Sequence, residues 1–317
     1  MDRLNRRQFL GTSLGLLGAA AVGGLASGCS KKEKGKVEGK AFEWHFSICN
    51  ESMKEWPWEK QCQFAGQVGY GGVEIAPFTL AESVDDISSE RRAEMRKAAQ
   101  DAGVKIVGLH WLLVTPKGLH FTTPDEDVRK RTWDYMNKLV DFCADLGGKV
   151  MIFGSPKQRG SVGGLTKAQA TQNLIDGLKY CAPHAAERDV MILIEPLDHT
   201  QTDVVNTLAE ALEVVKAVNS PAIQTMFDFH NTADEKEPFD VLIRKYFPYI
   251  KHVHVQEMDG TYLGTGNAVH DYVPAFRTLK ELAYSGWVSL EVFDFTPGPE
   301  KIATESMKTL QKIISQV

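Results

Sequence analysis

Short apolar runs alternate with longer amphipathic stretches along the chain from about residue 41 onward. Short runs rich in Val, Ile and Phe are typical of buried strands, whereas apolar residues spaced three and four apart are typical of helices with one buried face. The runs predict eight strands, at Glu43–Cys49, Gly72–Ala76, Lys105–Leu112, Val150–Gly154, Val190–Glu195, Ile223–Phe229, Ile250–Val255 and Val288–Phe293. The amphipathic stretches predict a helix after each strand, at Trp58–Gly66, Arg91–Ala102, Val128–Leu146, Lys167–Arg188, Val204–Val218, Phe239–Phe247, Val273–Tyr284 and Pro299–Ile314.

Eight strands that each precede a helix predict an α/β fold, a single (β/α)8 TIM barrel. The composition does not change between these units, so nothing marks the boundary of a second domain. An open doubly wound sheet is the alternative, but such a sheet usually has a glycine-rich phosphate loop after its first strand. Residues 47–52 contain no glycine, so the barrel is the predicted fold.

The first 29 residues are typical of an export signal. Arg6-Arg7 and the Gly- and Ala-rich stretch from Leu14 to Ala26 predict a twin-arginine (Tat) signal peptide. Residues 25–29 resemble a lipobox, which predicts a lipid anchor at Cys29; the alternative is an ordinary signal helix with an incidental cysteine. Residues 30–40 are rich in lysine and predict a flexible tether. We therefore expect a periplasmic barrel at 41–317, attached to a membrane through Cys29.

Charge and cysteine content narrow the classes of protein. The chain of 317 residues has a net charge of −5, with no stripe of Lys and Arg, and an acidic surface repels phosphate backbones. We therefore expect no nucleic-acid partner. Four cysteines beyond Cys29 have no close spacing and are expected to be buried thiols: Cys49, Cys62, Cys143 and Cys181.

A carboxylate or a histidine stands at the end of most predicted strands. In a barrel these ends meet on one face, so we expect the following side chains to share a pocket: Glu74, His110, Glu195, Asp228, His254 and Glu291. Burying several carboxylates without a cation costs on the order of several kcal/mol each. One divalent metal ion held by Glu195, Asp228, His254 and Glu291 removes that cost. This mixture of ligands suits Mn²⁺ best, then Mg²⁺, with Co²⁺ and Zn²⁺ less favoured.

Single members of this set also fit structural roles, such as an ion pair or a hydrogen-bonded core histidine. For Glu74, a pocket-lining role and a structural ion pair are both open. His252 has the same strand parity as His254 and is expected to point inward one layer lower, in a packing or supporting role.

Residues 41–314 resemble the xylose isomerase-like TIM barrels, which include sugar isomerases, ketose 3-epimerases and apurinic endonucleases. The epimerases have a Glu, Asp, His, Glu metal set on strands five to eight, which matches Glu195, Asp228, His254 and Glu291 in order. The resemblance implies that Glu195 and Glu291 are also catalytic bases, on opposite faces of a sugar. Residues 48–51, 73–78 and 153–159 resemble segments of bacterial members named sugar phosphate isomerase/epimerase.

Two positions depart from the epimerase pattern. His230 stands two residues after Asp228 instead of three, and no arginine follows His254 closely. Lys157 and Arg159, on the loop after the fourth strand, are candidates to replace that arginine. The candidate substrate-binding residues are Glu74, His110, Lys157, Arg159 and His230.

The resemblance implies a metal-dependent sugar isomerase/epimerase that removes a proton next to a carbonyl and forms an enediolate. The alternative is a 3-oxo-glycoside lyase or hydratase, which eliminates a group from the same kind of intermediate and fits an exported protein. A non-catalytic carbohydrate-binding lipoprotein is a further alternative. A DNA-repair endonuclease is disfavoured by the acidic charge and by residues 267–271, which lack the required Asp-x-His. The sequence does not predict the oligomeric state.

Overall fold

The computed structural model describes residues 42–317, which form a closed barrel of eight parallel strands in sequence order. The predicted (β/α)8 fold is confirmed. The strands are β1 (His45–Cys49), β2 (Gly72–Ile75), β3 (Lys105–Leu109), β4 (Val150–Phe153), β5 (Met191–Ile194), β6 (Ile223–Asp228), β7 (Ile250–Val255) and β8 (Trp287–Leu290).

Nine α-helices of the described residues surround the strands. They are α1 (Trp58–Val68), α2 (Ser89–Asp101), α3 (Glu126–Leu146), α4 (Lys167–Glu187), α5 (Leu208–Val218), α6 (Phe239–Tyr246), α7 (Ala268–Asp271), α8 (Val273–Glu281) and α9 (Pro299–Ile314). Seven of the eight observed strands differ from their predicted bounds by one to three residues at one or both ends. The short helix α7 was not predicted.

Side-chain caps define where several helices begin. The Asp125 carboxylate accepts a hydrogen bond from the Val128 N–H at the start of α3, and Thr166 forms a reciprocal capping box with Gln169 at the start of α4. The Thr207 side chain accepts a hydrogen bond from the Glu210 N–H, which explains why α5 begins at Leu208 rather than at the predicted Val204. Such caps satisfy N–H groups that have no partner within the helix.

The interior of the barrel is apolar at its lower end and polar at its upper end. A small cluster of inward-facing side chains fills the lower end: Val107, Val150, Ile152, Leu193 and Met226. The larger core lies between the strands and the helices. Because side chains alternate along a strand, Glu195 follows Leu193 and Asp228 follows Met226 on the same inward face. The apolar layer therefore forms the floor beneath the polar groups.

The predicted export signal and the predicted cysteines differ in whether the structure describes them. The predicted signal peptide, the predicted tether and Cys29 lie outside the described residues. Within residues 42–317, none of the helices has the length and apolar character needed to cross a bilayer. Cys49, Cys62, Cys143 and Cys181 are buried free thiols, as predicted.

Candidate active site

Four side chains from consecutive strands come together at the carboxyl end of the barrel. Glu195, Asp228, His254 and Glu291 are buried, and each offers a ligand atom that lies within 4.8 Å of those of the others. Asp228 pairs with His254 in the register of β6 and β7, whereas Glu195 and Glu291 are the first residues after β5 and β8. The structure thus brings together the four residues that the sequence selected as metal ligands.

The imidazole of His254 lies between two carboxylates. Its Nε2 atom is 3.0 Å from Glu74 Oε1, and its Nδ1 atom is 3.0 Å from Glu291 Oε2. Burial opposes the charged imidazole, but attraction to Glu291 and Glu74 outweighs burial and holds the pKa of His254 well above its usual value. A histidine that donates one N–H to a carboxylate and directs its other nitrogen to a ligand cluster is the usual arrangement of a metal-binding histidine.

The three carboxylates of the cluster have unequal electrostatic environments. Burial, together with repulsion by Glu291 and Asp228, raises the pKa of Glu195 well above its usual value. Burial and repulsion by Glu291 also raise the pKa of Asp228. For Glu291, burial is outweighed by attraction to His254, and its pKa is lowered. A divalent cation relieves this crowding, and three carboxylates with one imidazole are a suitable ligand set.

Glu74 is packed among buried side chains and is not among the residues that line the cavity beside the cluster. The carboxylate is completely buried, accepts a hydrogen bond from Ser289 Oγ at 2.6 Å and lies 2.8 Å from His252 Nε2. Burial opposes its charged form, but His252 and His254 hold the pKa of Glu74 well below its usual range. The structural alternative therefore applies, with histidines as the partners, and Glu74 orients His254 from below.

A cavity that opens to solvent lies beside the cluster, and its empty space, including the part at the open mouth, is about 290 Å³. Both glutamates of the cluster contribute to its wall, and His110 reaches it from the end of β3. The Nε2 atom of His110 is hydrogen-bonded to Glu51, which fixes the ring. The lining residues are His110, Trp111, Gly154, Ser155, Pro156, Glu195, Leu197, Gln201, Asn231, Glu291 and Phe293.

The other three predicted substrate contacts do not line this cavity. Lys157 is exposed on the turn Pro156–Gln158. Arg159 is completely buried, and its Nη1 atom donates to the main-chain oxygens of Phe153, at 2.9 Å, and Glu195, at 2.8 Å. Arg159 therefore ties the end of β4 to the end of β5 and is not among the residues of the cavity wall.

His230 is also placed outside the cavity wall. Its Nδ1 atom donates to the Met258 oxygen at 2.9 Å, and its ring packs against Phe293 with centroids 5.1 Å apart. Its main-chain N–H donates to Asp228 Oδ1 at 2.8 Å. The structure therefore places His230 beside the mouth of the cavity, where it orients Asp228 through its backbone.

Sequence reasoning missed the amides and the indole that hold the carboxylates. Asn231 Nδ2 donates to Glu195 Oε1 at 3.1 Å and to Asp228 Oδ2 at 2.8 Å, and Trp111 Nε1 donates to Glu291 Oε1 at 3.1 Å. Gln256 Nε2 donates to Asp228 Oδ1 at 3.1 Å. A signal existed for Asn231, because it stands three residues after Asp228, where the epimerases usually have a histidine.

We expect Gly154→Ala to weaken the site through Glu195. A Cβ atom at this position would overlap Glu195 Oε2, so the carboxylate must move out of the cluster. The expected result is a loss of roughly 10- to 100-fold in metal affinity, as for outer contacts of a metal site. Equilibrium dialysis with Mn²⁺ measures it. Gly71→Ala is the matched control, because its Cβ would lie 3.5 Å from the Trp287 ring, and unchanged affinity in both variants contradicts the prediction.

Comparisons with known proteins agree with this fold. A probable ketose 3-epimerase from Synechocystis is 24% identical over 268 residues, which cover 79% of this chain and 88% of that protein. The crystal structure of D-psicose 3-epimerase with D-tagatose from Clostridium cellulolyticum superposes with a TM-score of 0.73 at 19% identity, covering 86% of this chain and 98% of that one.

A 3-keto-D-glucoside 4-epimerase from E. coli has the same fold, with a TM-score of 0.72 at 17% identity over 86% of this chain and all of that one. At such identities these structures establish the fold alone. The model of the family described as xylose isomerase-like TIM barrel matches residues 62–313. The chain therefore belongs to the xylose isomerase-like TIM barrel family.

Proposed function

We propose that this protein is a metal-dependent sugar epimerase/isomerase that moves a proton on a carbon next to a carbonyl. The observation that carries the proposal is the presence of two buried glutamates, Glu195 and Glu291, in one cavity wall and in one cluster of metal-ligand type. Their strands, β5 and β8, are three places apart around the ring of eight. The similarity to a probable ketose 3-epimerase supports the same class of reaction.

Glu195, Asp228, His254 and Glu291 would hold the metal ion, and Mn²⁺ is our first choice. When bound, a divalent ion supplies Lewis-acid stabilisation of the negative charge on a carbonyl oxygen and the neighbouring hydroxyl. The residues around the cluster fix the ligands: Asn231 orients Glu195 and Asp228, and Glu74 orients His254.

The two glutamates perform the proton transfers. One removes a proton from a carbon on one face of the sugar, and the other returns a proton to the opposite face, which inverts the carbon. Trp111 donates to Glu291, and Asn231 donates to Glu195, so each carboxylate is held while one edge faces the cavity. General base catalysis of this type contributes about 10²- to 10⁴-fold to the rate.

The substrate is proposed to be an unphosphorylated sugar. Among the lining residues in the described part of the chain there is no Lys and no Arg, which are the usual partners of a phosphate. Arg159 is engaged by main-chain oxygens, and Lys157 is outside the wall. Free ketoses fit this cavity chemistry, because they present a carbonyl beside a hydroxyl.

Chemistry on a 3-oxo-glycoside, by epimerisation or by loss of the aglycone, is the second candidate. Two features favour it: the predicted export signal, because the periplasm is poor in sugar phosphates, and the similarity in fold to a 3-keto-D-glucoside 4-epimerase. Such a substrate also has a carbonyl beside a hydroxyl and an acidic carbon-bound hydrogen.

Exchange in heavy water tests the function directly. We expect the Mn²⁺-loaded protein to catalyse the incorporation of deuterium into a free ketohexose or a 3-oxo-glucoside, at the carbon next to the carbonyl. NMR of the sugar measures this incorporation. Epimer formation and aglycone release are measured separately, and protein treated with a chelator is the control. A tenfold or greater preference for the ketohexose phosphate, about 1.4 kcal/mol in transition-state binding, contradicts the proposed substrate class.

We also propose that the protein is exported by the Tat pathway and anchored through Cys29. Replacing Arg6 and Arg7 by lysine should retain it in the cytoplasm, because the pathway reads the arginine pair. Cys29→Ser should abolish labelling with a radioactive fatty acid and release the barrel from membranes. Cell fractionation measures both effects, and unchanged fractionation of the lysine variant contradicts the Tat assignment.

A further inference from the structure

The loops after β7 and β8 expose apolar side chains, and one of these side chains, Phe293, lines the cavity. Six large hydrophobic side chains are exposed in the described residues, and three of them lie on these two loops: Met258, Phe293 and Phe295. Single exposed apolar residues are ordinary, but a group of them beside a pocket indicates a binding surface. We call the group formed by His230, Met258 and Phe293 the rim shelf.

Phe293 connects the rim shelf with the cavity. Its side chain lines the cavity, yet 39% of its surface is exposed to solvent. The ring is held in place by His230 and by Gly260, where φ is +80° and a Cβ atom would lie 2.8 Å from the ring. The Phe293 N–H also donates to the Gly260 oxygen at 2.8 Å. An exposed aromatic ring fixed in this way loses little conformational entropy on binding.

The charges around the rim shelf are negative. Asp259 and Asp294 are exposed neighbours of Met258 and Phe293 in the chain. Anionic substituents are repelled by these carboxylates, and a second copy of this acidic chain gains no charge complementarity there. A neutral apolar group is the ligand that fits both the exposed ring and its surroundings.

We propose that the rim shelf binds the planar, apolar aglycone of a glycoside whose sugar ring occupies the cavity. The inference rests on the proposed function with its second candidate substrate, a 3-oxo-glycoside, because a free ketose has no aglycone. Phe293 stands two residues after Glu291, and both side chains line the cavity. A substituent on a sugar that is close enough to react with Glu291 would therefore leave the cavity beside the Phe293 ring. Aromatic groups stack on aromatic rings with a gain beyond the area buried.

The test compares two ligands that differ only in the aglycone. Binding of methyl and phenyl 3-oxo-glucosides to the Mn²⁺-loaded protein is measured by calorimetry under conditions in which turnover is negligible. We expect the phenyl compound to bind roughly tenfold more tightly, the effect of burying on the order of 50 Å² of apolar surface. Equal affinity for the two compounds overturns the inference.

Three variants assign the effect to the shelf. In Phe293→Ala the phenyl compound should bind less than about twofold more tightly than the methyl compound. The ratio of the two affinities is the readout, because Phe293 also lines the cavity that both sugars would occupy. Phe293→Leu, which keeps apolar volume without a flat ring, should retain part of the preference. Val241→Ala on α6 removes an equally exposed apolar side chain elsewhere and should retain all of it. A preference that survives Phe293→Ala overturns the inference.

Other outcomes separate this inference from the proposed function. Deuterium exchange of a free ketohexose without any phenyl preference overturns the shelf alone. Failure of both glucosides to bind overturns the shelf, and absence of ketohexose exchange then shows that the proposed function fails as well. A dimer that dissociates on Phe293→Ala, with equal affinities for the two glucosides, means that the shelf contacts a second copy of the chain.

Discussion

Asp228→Asn is expected to lose most of the bound metal, and its rate of deuterium exchange is expected to fall more than about 100-fold. This loss exceeds the effect of changing a residue that only contacts a metal ligand. Both Asp228 oxygens accept hydrogen bonds: Oδ1 from the His230 N–H and from Gln256, and Oδ2 from Asn231. An amide must direct its NH₂ group at one of these donors, so the side chain has to turn. Elemental analysis of the purified protein and deuterium exchange measure the two losses together.

In the metal-free protein, Asp228→Asn is not expected to lower the thermal stability. Burial and repulsion by Glu291 raise the pKa of Asp228, which means that its charge is unfavourable when no cation is present. Removing that charge is expected to leave the melting temperature of the metal-free protein unchanged or higher. The increase in melting temperature on adding Mn²⁺ should disappear, because that increase measures binding to the folded state.

Two further variants complete this test. His254→Ala removes the imidazole ligand and should also lose metal and rate together. Asp271→Asn changes an exposed carboxylate at the last residue of α7 and should behave as the unmodified protein. Full metal content and full rate in Asp228→Asn or His254→Ala mean that the ligand assignment is wrong.

The sequence was sufficient to predict the barrel and the four clustered residues because both depend on strand parity. Parallel strands in a barrel direct alternate residues inward, so an acid or a histidine at the end of an apolar run reaches the upper interior. Asp228 and His254 fit this rule within β6 and β7. Glu195 and Glu291 follow it one residue beyond β5 and β8, where the predicted strands were too long.

The placements that differ from expectation depend on which way a side chain turns after the strand. Arg159 was expected in the cavity because it follows β4 on a loop, but the chain turns so that its guanidinium donates to the main-chain oxygens of Phe153 and Glu195. Glu74 was a candidate for the cavity wall, but its carboxylate is buried beneath the cluster, in contact with His252, His254 and Ser289. Apart from Phe153, these partners lie on or after strands that are distant along the chain, so no local pattern in the sequence predicts them.

Glu195→Gln and Glu291→Gln are expected to separate the two faces of the reaction. Glutamine keeps the volume of glutamate, and its amide oxygen can still accept from Asn231 or from Trp111. It cannot remove a proton from carbon, so the base on one face is lost while the other remains. Each variant is therefore expected to lose about 10²- to 10⁴-fold in exchange when the reaction starts from one epimer.

Measuring exchange separately from each of the two epimers shows whether the reaction uses one glutamate base or two. If Glu195 and Glu291 serve opposite faces, Glu291→Gln stops exchange from one epimer and Glu195→Gln stops exchange from the other, while each variant still exchanges the epimer whose base is intact. Metal content is measured for each variant, because a loss of the ion lowers exchange from both epimers equally. If one variant loses exchange from both epimers with its metal retained, a single glutamate performs both transfers, and the substrate must turn or the proton must be carried across by that one carboxylate.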